Sequence, residues 1–243
     1  NSFDVEQGVT VSSKEWFTVS DNVGSVDIDG TIESRNKGVS LEPSGTVNIE
    51  EATVNSKEWV TVTSGNGDVL ADQSSITSSN KGLRLTAESG QTSLTGAEVD
   101  VKESITITGN NGIVANGGAV IETTNKGIEL IAENGEVDIR SSDVRAKEWI
   151  TITGDQGILA NDGALIDSSN KGIQLNSANG DIDLSTSTIN AKEGATATLD
   201  TSSTTLNVSD TQIQDDNDEL VANVQTTGQV TGAPAQGSVD ERT

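Results

Sequence analysis

Nine lysines and three tryptophans are the side chains of this sequence whose type and spacing could do chemistry. Lys14-Glu15-Trp16 returns as Lys57-Glu58-Trp59, Lys102-Glu103-Ser104, Lys147-Glu148-Trp149 and Lys192-Glu193-Gly194, at steps of 43, 45, 45 and 45 residues. A second marker, Asn-Lys-Gly, begins at Asn36, Asn80, Asn125 and Asn170, at steps of 44, 45 and 45. Together the two markers hold every lysine in the chain, at 14, 37, 57, 81, 102, 126, 147, 171 and 192. Ammonium groups and indoles in one register can grip an anionic chain, a saccharide or the flank of a neighbouring rod. The same register also makes a solvated, charge-compensated corner. The chemistry is that of contact, and the residues proposed for it are Lys14, Trp16, Lys57, Trp59, Lys102, Lys147, Trp149 and Lys192.

Composition narrows the alternatives. The chain has 243 residues, with 38 acidic and 14 basic side chains and a formal charge of −24. Histidine and cysteine are absent, which excludes zinc fingers, thiolate sites, Ser-His-Asp triads and disulfide scaffolds. A surface this acidic repels phosphate backbones, so nucleic acid is not an expected partner. No run of 18 apolar residues exists to span a bilayer as a helix. Hydrolases and lyases on β-helices gather acid and base groups in a cleft, and no irregular insertion before residue 190 could build one. No enzymatic activity is expected. No cofactor is expected either. Calcium at Asp155/Asp162 or Asp181/Asp183 is the weak exception, because the Gly-Gly-x-Gly-x-Asp nonapeptide of calcium β-rolls is missing.

The elements that must position the markers follow from the residues between them. After Lys171 come Ile173 and Leu175, then Ile182 and Leu184, then Ile189; after Lys147 come Ile150 and Ile152, then Ile158 and Ala160, then Ile166. Pairs two apart carry the strand period. Gly-Asp-Gln-Gly and Ser-Ser-Asn-Lys-Gly between them are turn chemistry. The fold class is therefore all-β, a parallel β-helix (β-solenoid) with coils of 21–24 residues in a 45-residue double repeat. Stacked coils bury a narrow core of Ile, Val, Leu and Ala, which reconciles 32% hydrophobic and 2% aromatic residues with a folded chain.

The registers carry further expectations. Nine lysines stacked about 4.8 Å apart would repel, with relief from the Glu that follows Lys in alternate coils. Gly38, Gly82, Gly127 and Gly172 follow Lys in the other coils, where glycine permits a positive φ. A core tryptophan would not readily become Ser104 or Gly194, since the cavity would cost several kcal/mol, so the indoles are expected to be partly exposed. The Asn column supplies turn geometry.

Residues 1–10 read as an N-terminal edge or half-coil lid, 11–213 as the solenoid with a degenerate last coil from about 195, and 214–243 as an acidic, flexible tail in which Leu220-Val221-Ala222-Asn223-Val224 could pair as one strand. Neither end reads as a bulky cap, and head-to-tail stacking is a heterologous contact that propagates. Phe3, Val5, Leu220, Val221 and Val224 are the residues proposed for the axial ends, and the expected partner is a second copy of the chain. The first residue is Asn1, which suggests a removed signal peptide and an extracellular or cell-surface location. Asn207-Val208-Ser209 is a glycosylation sequon. The acidic balance suggests a high-salt environment.

Gly135-Glu136-Val137-Asp138-Ile139 followed by Ser142-Asp143-Val144-Arg145-Ala146-Lys147, and Gly180-Asp181-Ile182-Asp183-Leu184 leading to Ile189-Asn190-Ala191-Lys192, resemble filamentous-haemagglutinin-type repeats. The likeness covers roughly residues 10–200 and departs at the corner, where Lys-Glu-Trp replaces the usual Gly-Gly. It implies a right-handed parallel β-helix serving as a secreted or surface-attached fibre or adhesin. A weaker likeness is to bactofilin-type polymers, whose coils are shorter and more uniform. The expected function is thus a structural filament subunit assembled by axial stacking; the alternative is a monomeric surface adhesin or glycan-binding module.

Overall fold

The computed structural model describes residues 1–201, 204–215, 219–224 and 228–242. Among these residues there is no helix, and the chain winds into a parallel β-solenoid of about ten turns with about 22 residues per turn. Every third strand joins the same sheet, up to the last, Ser238–Arg242, which follows Glu219–Val224 in the third sheet with one strand between them. The first sheet runs from Ser2–Val5 to Gln229–Thr231, the second from Thr10–Ser13 to Gln212–Asp215, and the third from Phe17–Val19 to Ser238–Arg242.

Alternation in the sequence sets this arrangement. In Thr53–Ser56, Val54 and Ser56 point inward while Thr53 and Asn55 face out, and Ile76 and Val99 stack on Val54 in the next two coils. The interior is a column of Ile, Val, Leu and Ala with almost no exposed surface. Burying one Ile or Leu side chain contributes about 1.5–3 kcal/mol, against an ordering cost of about 1–2 kcal/mol per residue. Because nearly every second strand residue is inward, small aliphatics suffice.

The corner from the first to the second sheet takes a left-handed residue in most coils, the two-residue turn Asp29-Gly30 being an exception. Glu51, Gln73, Ser141, Asp162, Thr186 and Asp210 take it with φ between 54° and 60°, and Gly96 and Gly117 occupy the same place in their coils. For β-branched Thr186 this conformation is strained by roughly 1–2 kcal/mol.

Both ends differ from expectation. Ser2–Val5 pairs in register with Ser25–Ile28, and Thr10–Ser13 and Phe17–Val19 complete the turn, so residues 1–10 belong to a full first coil and not to a lid. At the other end, Glu219–Val224, Gln229–Thr231 and Ser238–Arg242 continue the first and third sheets into the segment expected to be a tail. The physical reason is that the Lys markers belong to a corner, whereas the sheets need only alternation. Leu220 and Ala222 keep that alternation and are fully buried.

Candidate functional site

The Lys markers lie at the corner from the second to the third sheet. Its two forms alternate. In one coil three residues, such as Lys57-Glu58-Trp59, join Thr53–Ser56 to Val60–Ser64; in the next coil four, Ser79-Asn80-Lys81-Gly82, join Ser75–Ser78 to Leu83–Ala87. The extra residue shifts the register. The amides of Glu58, Glu103, Glu148 and Glu193 donate to the carbonyls of Lys37, Lys81, Lys126 and Lys171, so each Glu sits over the Lys of the preceding coil.

The nine lysines therefore do not form one column. Lys37, Lys81, Lys126 and Lys171 alternate with glutamates, and three of these contacts are ion pairs: Lys37–Glu58 at 3.6 Å, Lys126–Glu148 at 3.4 Å and Lys171–Glu193 at 2.8 Å. Glu193 raises the Lys171 pKa through its hydrogen bond and charge. Lys57, Lys102 and Lys192 form a second column, where their amides share a register with Arg35, Ser79, Thr124 and Ser169. Ammonium groups of either column thus recur every second coil, about 9.6 Å apart, which lessens the repulsion that contiguous stacking would impose, except where Arg35 stands between Lys14 and Lys57. Lys14, Lys57, Lys102, Lys147 and Lys192 are all exposed.

Buried hydroxyls stitch this corner. Ser56 donates to the Lys37 carbonyl at 3.0 Å, and Ser78, Thr123 and Ser168 donate to the carbonyls of Glu58, Glu103 and Glu148. The glycines act here by absence of bulk. Gly38, Gly82, Gly127 and Gly172 do not have positive φ, contrary to expectation. A Cβ on Gly38 or Gly82 would collide with the ring of Trp16 or Trp59, and one on Gly127 with the Trp149 ring at 2.5 Å.

The indoles lie over these glycines and remain partly open to solvent. Trp16 is 47% exposed, Trp149 is 41% exposed and Trp59 is half-buried. Trp16 and Trp59 lean onto the following coil, while Trp149 leans back onto Gly127. With Trp149 turned back and Gly194 in the next Trp position, a groove of about 740 Å³ opens beyond it. Its floor includes Gly172, Gly194 and Thr196, and Trp149, Lys171 and Arg242 stand around it.

Beside this corner lies the outer face of the third sheet, which the sequence reading missed. Alternate coils present Thr-x-Thr pairs at 61/63, 106/108, 151/153 and 196/198, each 45 residues after the last. The coils between present Arg84/Thr86, Glu129/Ile131 and Gln174/Asn176. The signal was a second element of the same 45-residue period. The second sheet differs, turning Glu98, Asp100, Glu122, Asp143 and Asp167 outward.

Of the proposed axial residues, Phe3 and Val5 lie in the first coil, with Val5 buried and the Phe3 ring 5.7 Å from that of Phe17. Leu220 and Val221 are not terminal, because Ser238–Arg242 pairs outside them. Val224 pairs its backbone with Leu199, and its side chain lies outside the described residues.

Three of the four acidic turn groups accept hydrogen bonds between coils through their carboxylates, and Asp162 accepts one from Ser141 through its backbone carbonyl. Asp155 accepts from Asn179 at 2.7 Å, Asp181 from the Thr205 amide at 2.6 Å, and Asp183 from Asn161 and Asn207 at 2.6 and 2.9 Å. The sequon nitrogen of Asn207 is the donor in that last bond. Burial pushes the Asp183 carboxyl up, but hydrogen bonds from Ser185, Asn161 and Asn207 outweigh it and hold the pKa below the ordinary value. Comparison with protein-family models, curated proteins and solved structures gives no match.

Proposed function

We propose that the protein is a structural rod, a subunit of an extracellular or cell-surface filament that grows by axial stacking of solenoids. The observation that supports this reading is the regularity of the stack, in which three parallel sheets run through about ten turns around one continuous aliphatic column. Each turn offers the next the same strand edges and apolar positions, so the contact that joins coils within the chain also suits the joining of one copy to another. The filamentous-haemagglutinin-like phrases agree with a fibre role.

Negative-stain electron microscopy across a concentration series at high salt tests the reading. Unbranched fibres a few nanometres wide that lengthen with concentration are expected. Particles that stay at the length of one chain at every concentration would overturn it.

A glycan-binding module is the second reading. The groove beside Trp149 favours it, since an indole wall over a polar floor suits a sugar ring.

A further inference from the structure

We infer that the outer face of the third sheet is a self-complementary interface on which two copies of this chain pair with their solenoid axes antiparallel. The inference does not depend on axial stacking. It starts from charge. In a chain of net charge −24, the seven central strands of this face, from Val60–Ser64 to Ala195–Leu199, turn only Arg84 and Glu129 outward as charged groups. Depletion of charge marks the core of an interface. Neither Arg84 nor Glu129 has an ion-pair partner among the described residues of its own chain.

The two charges are placed as a two-fold axis requires. Arg84 and Glu129 lie directly on either side of Thr106 in one outward column. A two-fold axis running along Ile105–Gly109, between two facing sheets, sets Arg84 of each copy opposite Glu129 of the other. The same operation sets Thr61 opposite Thr151, Thr63 opposite Thr153, and Thr86 opposite Ile131. Such a contact is isologous, so each good pair occurs twice.

The corner obeys the same operation. Trp59 falls opposite Trp149, and Trp16, the most exposed of the three indoles, falls opposite Gly194. The protruding ring therefore meets the groove floored by Gly172 and Gly194. Of the lysines along this edge, Lys37, Lys126 and Lys171 are partnered within their own chain by Glu58, Glu148 and Glu193, which offsets part of the like-charge contact that the same operation makes between Lys81 and Lys126. Seven strands of five residues and two of three span a face of about 600 Å², or about 1,200 Å² for the pair, which reaches the range of specific interfaces.

Sedimentation of the full chain, in salt sufficient to screen its net charge, tests the pairing. Below the concentration at which axial fibres form, the wild type is expected to sediment as a pair at micromolar concentration. R84E and E129R are each expected to weaken pairing by about tenfold or more, because like charges then face each other twice. Mixing the two single variants is expected to restore pairing, since a carboxylate then faces a guanidinium at both contacts, and the double reversal R84E/E129R should pair with itself. Circular dichroism on each variant separates loss of pairing from loss of fold. W16A, which empties the groove of its ring, should also weaken pairing. A wild type that stays monomeric, with or without a glycan in the groove, would overturn the inference. So would a pair that neither reversal disturbs, or a mixture that fails to recover. Axial fibre growth should be unchanged in R84E, E129R and the double reversal, so failure here and failure of the filament reading are separately visible.

Discussion

At the residue scale, the corner glycines carry a steric demand that composition does not reveal. Gly82 lies under the Trp59 ring and against the Ser104 carbonyl, where a methyl group has no space. Gly163 has open space around it but a φ of +83°. Gly82→Ala should therefore destabilise by about 2–3 kcal/mol through overpacking, and Gly163→Ala by about 1 kcal/mol through backbone strain. Thermal unfolding of the two variants checks the ranking. A larger loss at Gly163 would mean that conformation, not crowding, governs these turns. The indoles illustrate the same point from the other side. Their replacement by Ser104 and Gly194 correctly signalled partial exposure, but the direction in which each ring leans depends on its contacts with the adjacent coil.

At the scale of elements, polar ladders tie neighbouring coils of the first sheet together. Asp138 is 6% exposed and accepts from Arg140 at 2.9 and 2.7 Å and from Asn116 of the preceding coil at 2.7 Å. Burial raises its pKa, but these hydrogen bonds outweigh burial and hold the carboxyl below its ordinary value. A depressed folded pKa gives stability that is present above the ordinary carboxylate range and lost as pH falls through the folded value. Glu136 has the opposite sign, because burial raises its pKa. Asp138→Asn should lower the melting temperature at pH 7 by several degrees and shrink the loss seen between pH 7 and pH 3, measured by thermal melts across that range. An unchanged pH profile would remove Asp138 from the account. The strands themselves were legible in the sequence, since Ile173/Leu175 and Ile150/Ile152 alternate plainly and the structure buries all four. The corners were less so. One additional residue in the Asn-Lys-Gly form turns a supposed lysine stack into Lys over Glu, and only the hydrogen-bond register decides which residue lies over which. The end of the solenoid was misjudged for a related reason, because Leu220 and Ala222 need no marker to be buried. The Thr-x-Thr face was written in the same 45-residue period, but hydroxyl residues facing out look like ordinary solvated positions until the sheet sets them side by side.

At the scale of the whole molecule, 38 acidic groups against 14 basic ones act on every coil at once. The screening length falls from about 30 Å at 0.01 M salt to about 3 Å at 1 M, so adding salt should raise the melting temperature substantially over that interval. A melting temperature indifferent to salt would show that local pairs such as Lys171–Glu193 already neutralise the field. The alternation of Lys and Glu at the corner has a further consequence for how such a rod can change length. Each coil touches only its neighbours, so coils are in principle interchangeable units. Removing one coil would nevertheless bring two coils of the same kind into contact, with Lys against Lys in one case and Glu against Glu in the other. Removing two leaves every junction as it was. Length in this molecule is therefore counted in pairs, and a rod with an odd number of coils cut from its middle would carry a fault at the seam.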